Sequence, residues 1–243
     1  MFAVRSLLAA ALLLVTPLVA VSPAAAATTC PPITFVGVHG LGEGPENSET
    51  INQTRLAYTT WAAAHGHPGA TSFAVANYPR QSAWSFVVGR GHLIDAATRA
   101  VGTAVSQARQ ACPSTRFVLA GYSLGAWAID NFLAGGAGQA AGRIDGIALY
   151  GDPWLFRGGD RGLARIWHAD ASSYPQFPAI TRTVCVDHDP VCGAGYDTDA
   201  AAQALRVLLG GSTCGRGGVR PHLCYRTSAA QRGGTFLAEK AFS

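Results

Sequence analysis

The segment Phe117-Val118-Leu119-Ala120-Gly121-Tyr122-Ser123-Leu124-Gly125-Ala126 carries G-x-S-x-G between an apolar, β-branched run and a helix-forming run. In that setting the pattern reads as a serine on a tight strand-to-helix turn, its hydroxyl raised above the edge of a sheet. The flanking glycines leave room for the turn, and a helix N-terminus under the serine favours negative charge as it develops. A serine hydroxyl is a weak nucleophile. It needs a base, normally histidine, and the base needs a carboxylate to orient it. In strand–turn–helix settings of this kind the chain order is serine, acid, histidine.

Three histidines follow Ser123: His168, His188 and His222. The competing acids include Asp152, Asp170, Asp187, Asp189, Asp197 and Asp199. Asp189 lies in Cys185-Val186-Asp187-His188-Asp189-Pro190-Val191-Cys192, directly after an apolar strand. That is where sheet-top loops carry chemistry, and a disulfide closing the loop would fix the carboxylate. His222 follows in Pro221-His222-Leu223-Cys224-Tyr225. His188 sits too close in sequence to both acids to complete a relay and reads as a polar loop residue. His168 is the reserve base. The expected constellation is therefore Ser123, Asp189 and His222. Acyl transfer also needs two N–H donors aimed at the oxyanion. One is expected from Leu124, after the nucleophile. The other is expected from Leu41, in Gly37-Val38-His39-Gly40-Leu41-Gly42-Glu43-Gly44. A phosphate-binding reading of that loop fails, because its glycines run G-x-G-x-G and no GK[ST] follows.

These residues need a sheet to stand on. Short apolar runs alternate with longer helical stretches. Strands are expected at Ile33 to Val38, Thr71 to Asn77, Arg116 to Ala120, Ile144 to Tyr150 and Thr181 to Val186. Helices are expected at Ile51 to Ala64, with Thr50 and Gln53 at capping-box spacing, and at Gly91 to Ala111. Others are expected at Leu124 to Leu133, Asp199 to Leu209 and Ser228 to Ala241. Such alternation predicts a single α/β domain: a five-stranded parallel sheet, buried on both sides, with helices on both faces. Trp84, Phe86, Val87 and Val88 read either as an acyl-binding surface or as core.

The chain has 243 residues, 49% hydrophobic and 13% charged, with net charge +4. This excludes a disordered chain and gives no nucleic-acid footprint. Arg5, the apolar run Leu7 to Val21 and the small residues Ala24 to Ala27 read as a secretory signal peptide over residues 1–27, leaving a domain over 28–243. No later stretch reaches the roughly 18 apolar residues of a membrane span. Six cysteines follow the leader: Cys30, Cys112, Cys185, Cys192, Cys214 and Cys224. An even count in a secreted chain reads as disulfides, and six allow fifteen pairings. Proximity favours Cys185–Cys192 and Cys214–Cys224, which would leave Cys30 with Cys112. No C-x2-C spacing suggests zinc.

The residues so assembled resemble the cutinase family of secreted serine esterases. Cys30-Pro31, Asn77-Tyr78-Pro79, Cys112-Pro113 through Ser123, Cys185-x3-Asp189-x2-Cys192, His222-Leu223-x-Tyr225 and Phe236-Leu237 occur in the family's order. The resemblance implies an α/β-hydrolase with a fairly open site, no metal or other cofactor, a Cys30–Cys112 bridge and ester hydrolysis by a monomer. Three departures stand out. Leu124 replaces the usual Gln, and Leu41 replaces a Ser or Thr whose hydroxyl assists the oxyanion hole. Asp189 and His222 are 33 positions apart. This insert and the stretch from Gly151 to Ala179 are long enough to overhang the site. The expected substrate is a small acyl ester, a lipid or a polyester. The rival readings are an acyltransferase on the same residues and a catalytically silent binding protein on the same fold.

Overall fold

A computed structural model describes residues 30–80, 83–135, 137–153, 177–186, 189, 191–192, 221–223, 225 and 227–243. Five strands form one sheet: β1 (Ile33–Val38), β2 (Thr71–Val75), β3 (Arg116–Tyr122), β4 (Ile144–Tyr150) and β5 (Thr181–Val184). Every pairing is parallel, in the order β2-β1-β3-β4-β5. Four described helices cover it: α1 (Glu49–Ala64), α2 (Ala83–Ala111), α3 (Leu124–Ala134) and α4 (Ser228–Phe242).

Strand alternation sorts the core into two layers, because successive side chains point to opposite faces. Val36, Val38, Phe117, Leu119, Ile147 and Leu149 face α2 and α3. Phe35, Val118, Ala120, Tyr122, Ala148 and Tyr150 face α1 and α4. The expected α/β architecture is thus observed, as a single domain. β1 is buried throughout, and β3 and β4 nearly so. The two edge strands are not: β2 and β5 are half-buried or exposed, since each lacks a neighbour on one side. The expectation of burial on both sides fails there.

Helix starts also differ from the sequence reading. α1 begins at Glu49 behind Ser48, so Thr50 lies inside the helix and the Thr50–Gln53 capping box does not form. The Ser48 hydroxyl donates instead to Glu43 Oε2 at 2.7 Å. α2 begins eight residues before Gly91, running through Gly89 and Gly91 without a break. Trp84, Phe86, Val87 and Val88 fall in its first turns. The helix expected over Asp199 to Leu209 lies outside the described residues. No helix among the described residues is long and apolar enough to cross a membrane.

Candidate active site

Ser123 stands between β3 and α3 with φ 55° and ψ −116°, the sole non-glycine residue with positive φ among those described. Its N–H donates to the Tyr150 carbonyl at 2.8 Å, which ties the turn to the neighbouring strand. The strained backbone lifts the hydroxyl off the sheet, where it meets His222. Ser123 Oγ lies 2.8 Å from His222 Nε2. His222 Nδ1 lies 2.8 Å from Asp189 Oδ2 and 3.0 Å from Oδ1. A carboxylate only accepts, so Nδ1 carries the ring proton and Nε2 is free to accept from the serine. The structure thus brings together the three residues picked from the sequence.

Asp189 is fully buried and His222 nearly so. The carboxylate is held from several sides. Val191 N–H donates to Oδ1 at 2.8 Å, and the Tyr225 hydroxyl donates to Oδ2 at 2.5 Å. That hydroxyl in turn accepts from Val186 N–H at 3.1 Å. Burial, then the Asp189 charge, pushes the Tyr225 pKa far above its usual value, so the phenol remains a donor. The Cys185–Cys192 disulfide closes the loop around Asp189. His222 sits in a 3-10 turn, Pro221–Leu223, and its carbonyl accepts from the Tyr122 hydroxyl at 2.6 Å. Gly151, just past β4, has φ 58°, and a Cβ there would lie 2.7 Å from His222 Cε1.

The loop leaving β1 meets the start of α3. A Cβ on Gly125 would come within 2.2 Å of the Val38 carbonyl oxygen and 2.5 Å of that of His39. The start of α3 therefore rests directly on the β1 exit, placing Leu124 and the Leu41 loop side by side. Leu124 opens α3, so its N–H has no intrahelical acceptor. The Leu41 N–H donates to no acceptor among the described residues. Strand order reverses between β1 and β3, and crevices of parallel sheets open at such points.

Both bridges within the described residues match the expected pairing: Cys185–Cys192 and Cys30–Cys112. Cys214 and Cys224 lie outside those residues, as do the rival site residues His168, His188, Asp170, Asp187, Asp197 and Asp199. Asp152 is buried just past β4. Cys185, Asp189 and Cys192 are the one metal-sized cluster among the described residues, but both sulfurs are committed to a disulfide. Sequence reasoning missed three contributors. Gly151 and Tyr122 gave no signal beyond their positions at strand ends. Tyr225 was visible only as part of the histidine segment.

Known proteins agree with this architecture. The family model described as Cutinase matches residues 29–205. Phospholipase Culp4 of Mycobacterium tuberculosis is 31% identical over 202 residues, covering 79% of each chain. Acetylxylan esterase 2 of Talaromyces purpureogenus is 27% identical over 216 residues, covering 74% of this chain and 86% of that one. Among solved structures, the catalytic core domain of acetyl xylan esterase from Trichoderma reesei aligns with TM-score 0.60 at 21% identity, over 87% of this chain and 99% of that one. A cutinase-like protein from Cryptococcus sp. aligns with TM-score 0.59 at 19% identity, over 88% and 97% respectively. At those identities the structures speak for the fold, and the family rests on the sequence match. The chain belongs to the cutinase family, α/β-hydrolases that cleave carboxylic esters.

Proposed function

We propose that this protein is a secreted serine esterase working through Ser123, His222 and Asp189. The observation that carries the reading is the unbroken hydrogen-bonded line from Ser123 Oγ through His222 to Asp189, with 2.8 Å at both junctions. Ser123 Oγ attacks the ester carbonyl carbon while His222 Nε2 takes its proton. Asp189 keeps the imidazole in the Nδ1–H tautomer and stabilises the imidazolium. The tetrahedral oxyanion is met by the Leu41 and Leu124 N–H groups. Collapse expels the alcohol, which receives its proton from His222. Water then attacks the acyl-serine by the reverse steps and regenerates the hydroxyl.

The named relatives include a phospholipase and an acetylxylan esterase, so the reading extends to esters of lipids, of acetylated sugars or of polyesters. Secretion is supported by the leader over residues 1–27 and by two disulfides, which persist in oxidising compartments. The domain then spans residues 28–243. All groups of the relay come from one chain, which supports a monomer as the working unit.

The test is Ser123→Ala, assayed on p-nitrophenyl esters from acetyl to palmitoyl. Losing the nucleophile of such a unit lowers kcat on the order of 10⁶-fold. Circular dichroism should report an intact fold, and labelling by a fluorophosphonate should vanish. Retained activity above roughly a tenth of wild type would overturn the assignment.

A further inference from the structure

A buried histidine borders the proposed oxyanion site without joining the relay. His39 follows β1 and is 1% exposed. Its ring stacks on Tyr78, with centroids 4.0 Å apart and planes 14° from parallel. Its Nδ1 lies 3.1 Å from the Gly40 carbonyl oxygen. A carbonyl only accepts, so Nδ1 carries the proton and donates. Nε2 is then bare, and it has no hydrogen-bond partner among the described residues. Burial pushes the His39 pKa below its ordinary value. The Gly40 carbonyl and the Glu43 and Glu46 charges oppose that shift, and Arg80 adds to it.

The Gly40 carbonyl shares a peptide plane with the Leu41 N–H. In a trans peptide the two point in opposite directions, so fixing one aims the other. The Gly40 oxygen is fixed twice. It accepts from His39 Nδ1 and, at 3.3 Å, from Glu43 N–H. The second bond closes a β-turn over residues 40–43, whose third residue Gly42 has φ 78°, the sign a type II turn requires. The residues on either side are held as well. The Tyr78 hydroxyl donates to the His39 carbonyl. Glu43 Oε2 accepts from Gly40 N–H at 2.9 Å and from the Ser48 hydroxyl at 2.7 Å.

We propose that His39, stacked on Tyr78 and donating from Nδ1 to the Gly40 carbonyl, is a positioning residue that aims the Leu41 N–H at the reacting carbonyl oxygen. It touches no substrate atom and acts through the peptide plane. The proposal rests on the Ser123 reading above.

Two variants of the full chain separate aim from packing. His39→Phe keeps a ring against Tyr78 and removes the donor. His39→Asn keeps an N–H donor at nearly the same reach and removes the ring. The measurements are kcat and KM on p-nitrophenyl butyrate, the inactivation rate by a fluorophosphonate whose P=O oxygen occupies the oxyanion position, and the melting temperature. Loss of one oxyanion donor costs about 10²–10³-fold. A misaimed donor should therefore lower kcat by about 10–100-fold. His39→Phe should show that loss with KM within about twofold and inactivation slowed in parallel, and His39→Asn should recover most of it. Wild-type kcat in His39→Phe overturns the proposal. So does an equal loss in both variants that tracks the melting temperature, which would make His39 a packing residue. Should His39→Phe fail to fold, His39→Leu removes the Nδ1 donor with a smaller apolar side chain. There a kcat-selective loss supports the proposal and an unchanged kcat overturns it. If Ser123→Ala abolishes turnover while His39→Phe leaves kcat intact, only this proposal falls. If Ser123→Ala stays active, the triad reading falls first.

Discussion

Gly151→Ala should disable the enzyme through a single methyl group. Gly151 follows β4 at φ 58°, and its N–H is tied to the Val184 carbonyl at 3.0 Å. One position earlier, the Tyr150 carbonyl is held by Ser123 N–H. The backbone therefore cannot swing away from an added Cβ. That Cβ would lie 2.7 Å from His222 Cε1 and 2.9 Å from Nδ1, against an ordinary contact that begins at 3.4 Å. The ring must shift by about 0.7 Å from the position in which it meets the Ser123 hydroxyl. A misplacement of about 1 Å costs on the order of 10²-fold, so a kcat loss of about 10–50-fold is expected. The left-handed backbone adds about 1–2 kcal/mol of destabilisation for a residue with a Cβ. Gly66→Ala is the matched control. Gly66 has φ 86° with nothing within 4 Å of an added Cβ, so it carries the strain without the collision. Turnover of p-nitrophenyl butyrate well below the melting temperature is the assay. Both variants should melt earlier, and only Gly151→Ala should lose kcat. If Gly151→Ala keeps kcat within twofold of wild type, Gly151 does not hold the His222 ring in line with Ser123.

Two further outcomes are expected. Tyr225→Phe keeps the buried ring but removes the donor to Asp189 and the acceptor of Val186 N–H. A hydrogen bond to a charged group contributes about 1.5–3 kcal/mol, so the melting temperature should fall by several degrees. His222 and Val191 still hold the carboxylate, so kcat should fall by less than about tenfold; an unchanged melting temperature would refute the bond. The two disulfides should separate stability from turnover. Chain entropy assigns about 4.5 kcal/mol to Cys30–Cys112, which spans 82 positions, and about 2.5 kcal/mol to Cys185–Cys192, which spans 7. Removing the first with a double Ser variant should cost more stability and spare kcat. Removing the second should cost less stability and lower kcat while circular dichroism still reports a fold. Identical behaviour would mean that the short bridge does not hold Asp189 in place.

How legible the site is depends on whether its signal is local. β3, the turn at Ser123 and α3 read clearly, because an apolar strand, paired glycines and a helix-forming run occupy consecutive positions. Asp189 and His222 read through their cysteine neighbours. What escapes is the support around them. Gly151 matters because of a ring 71 positions later, and Tyr122 because of a carbonyl 100 positions away. His39 reads as one histidine among seven until its ring is seen against Tyr78. The half-buried edges misled for a related reason: β2 and β5 look like central strands until strand order is known. α2 hid its first turns behind Gly89 and Gly91, which the tertiary packing carries as helix despite their low propensity.

With Ser123 as the proposed nucleophile, its backbone sets stability and turnover against each other. Glycine adopts a positive φ freely, whereas a serine held in a sparsely populated region costs about 1–3 kcal/mol. Folded domains survive on margins of about 5–15 kcal/mol, so this one residue consumes a visible part of that margin. Laboratory evolution for heat resistance, scored on folding alone, would drift toward glycine at position 123 and delete the chemistry while improving the scaffold. A selection that keeps the enzyme must read turnover in the same round as melting.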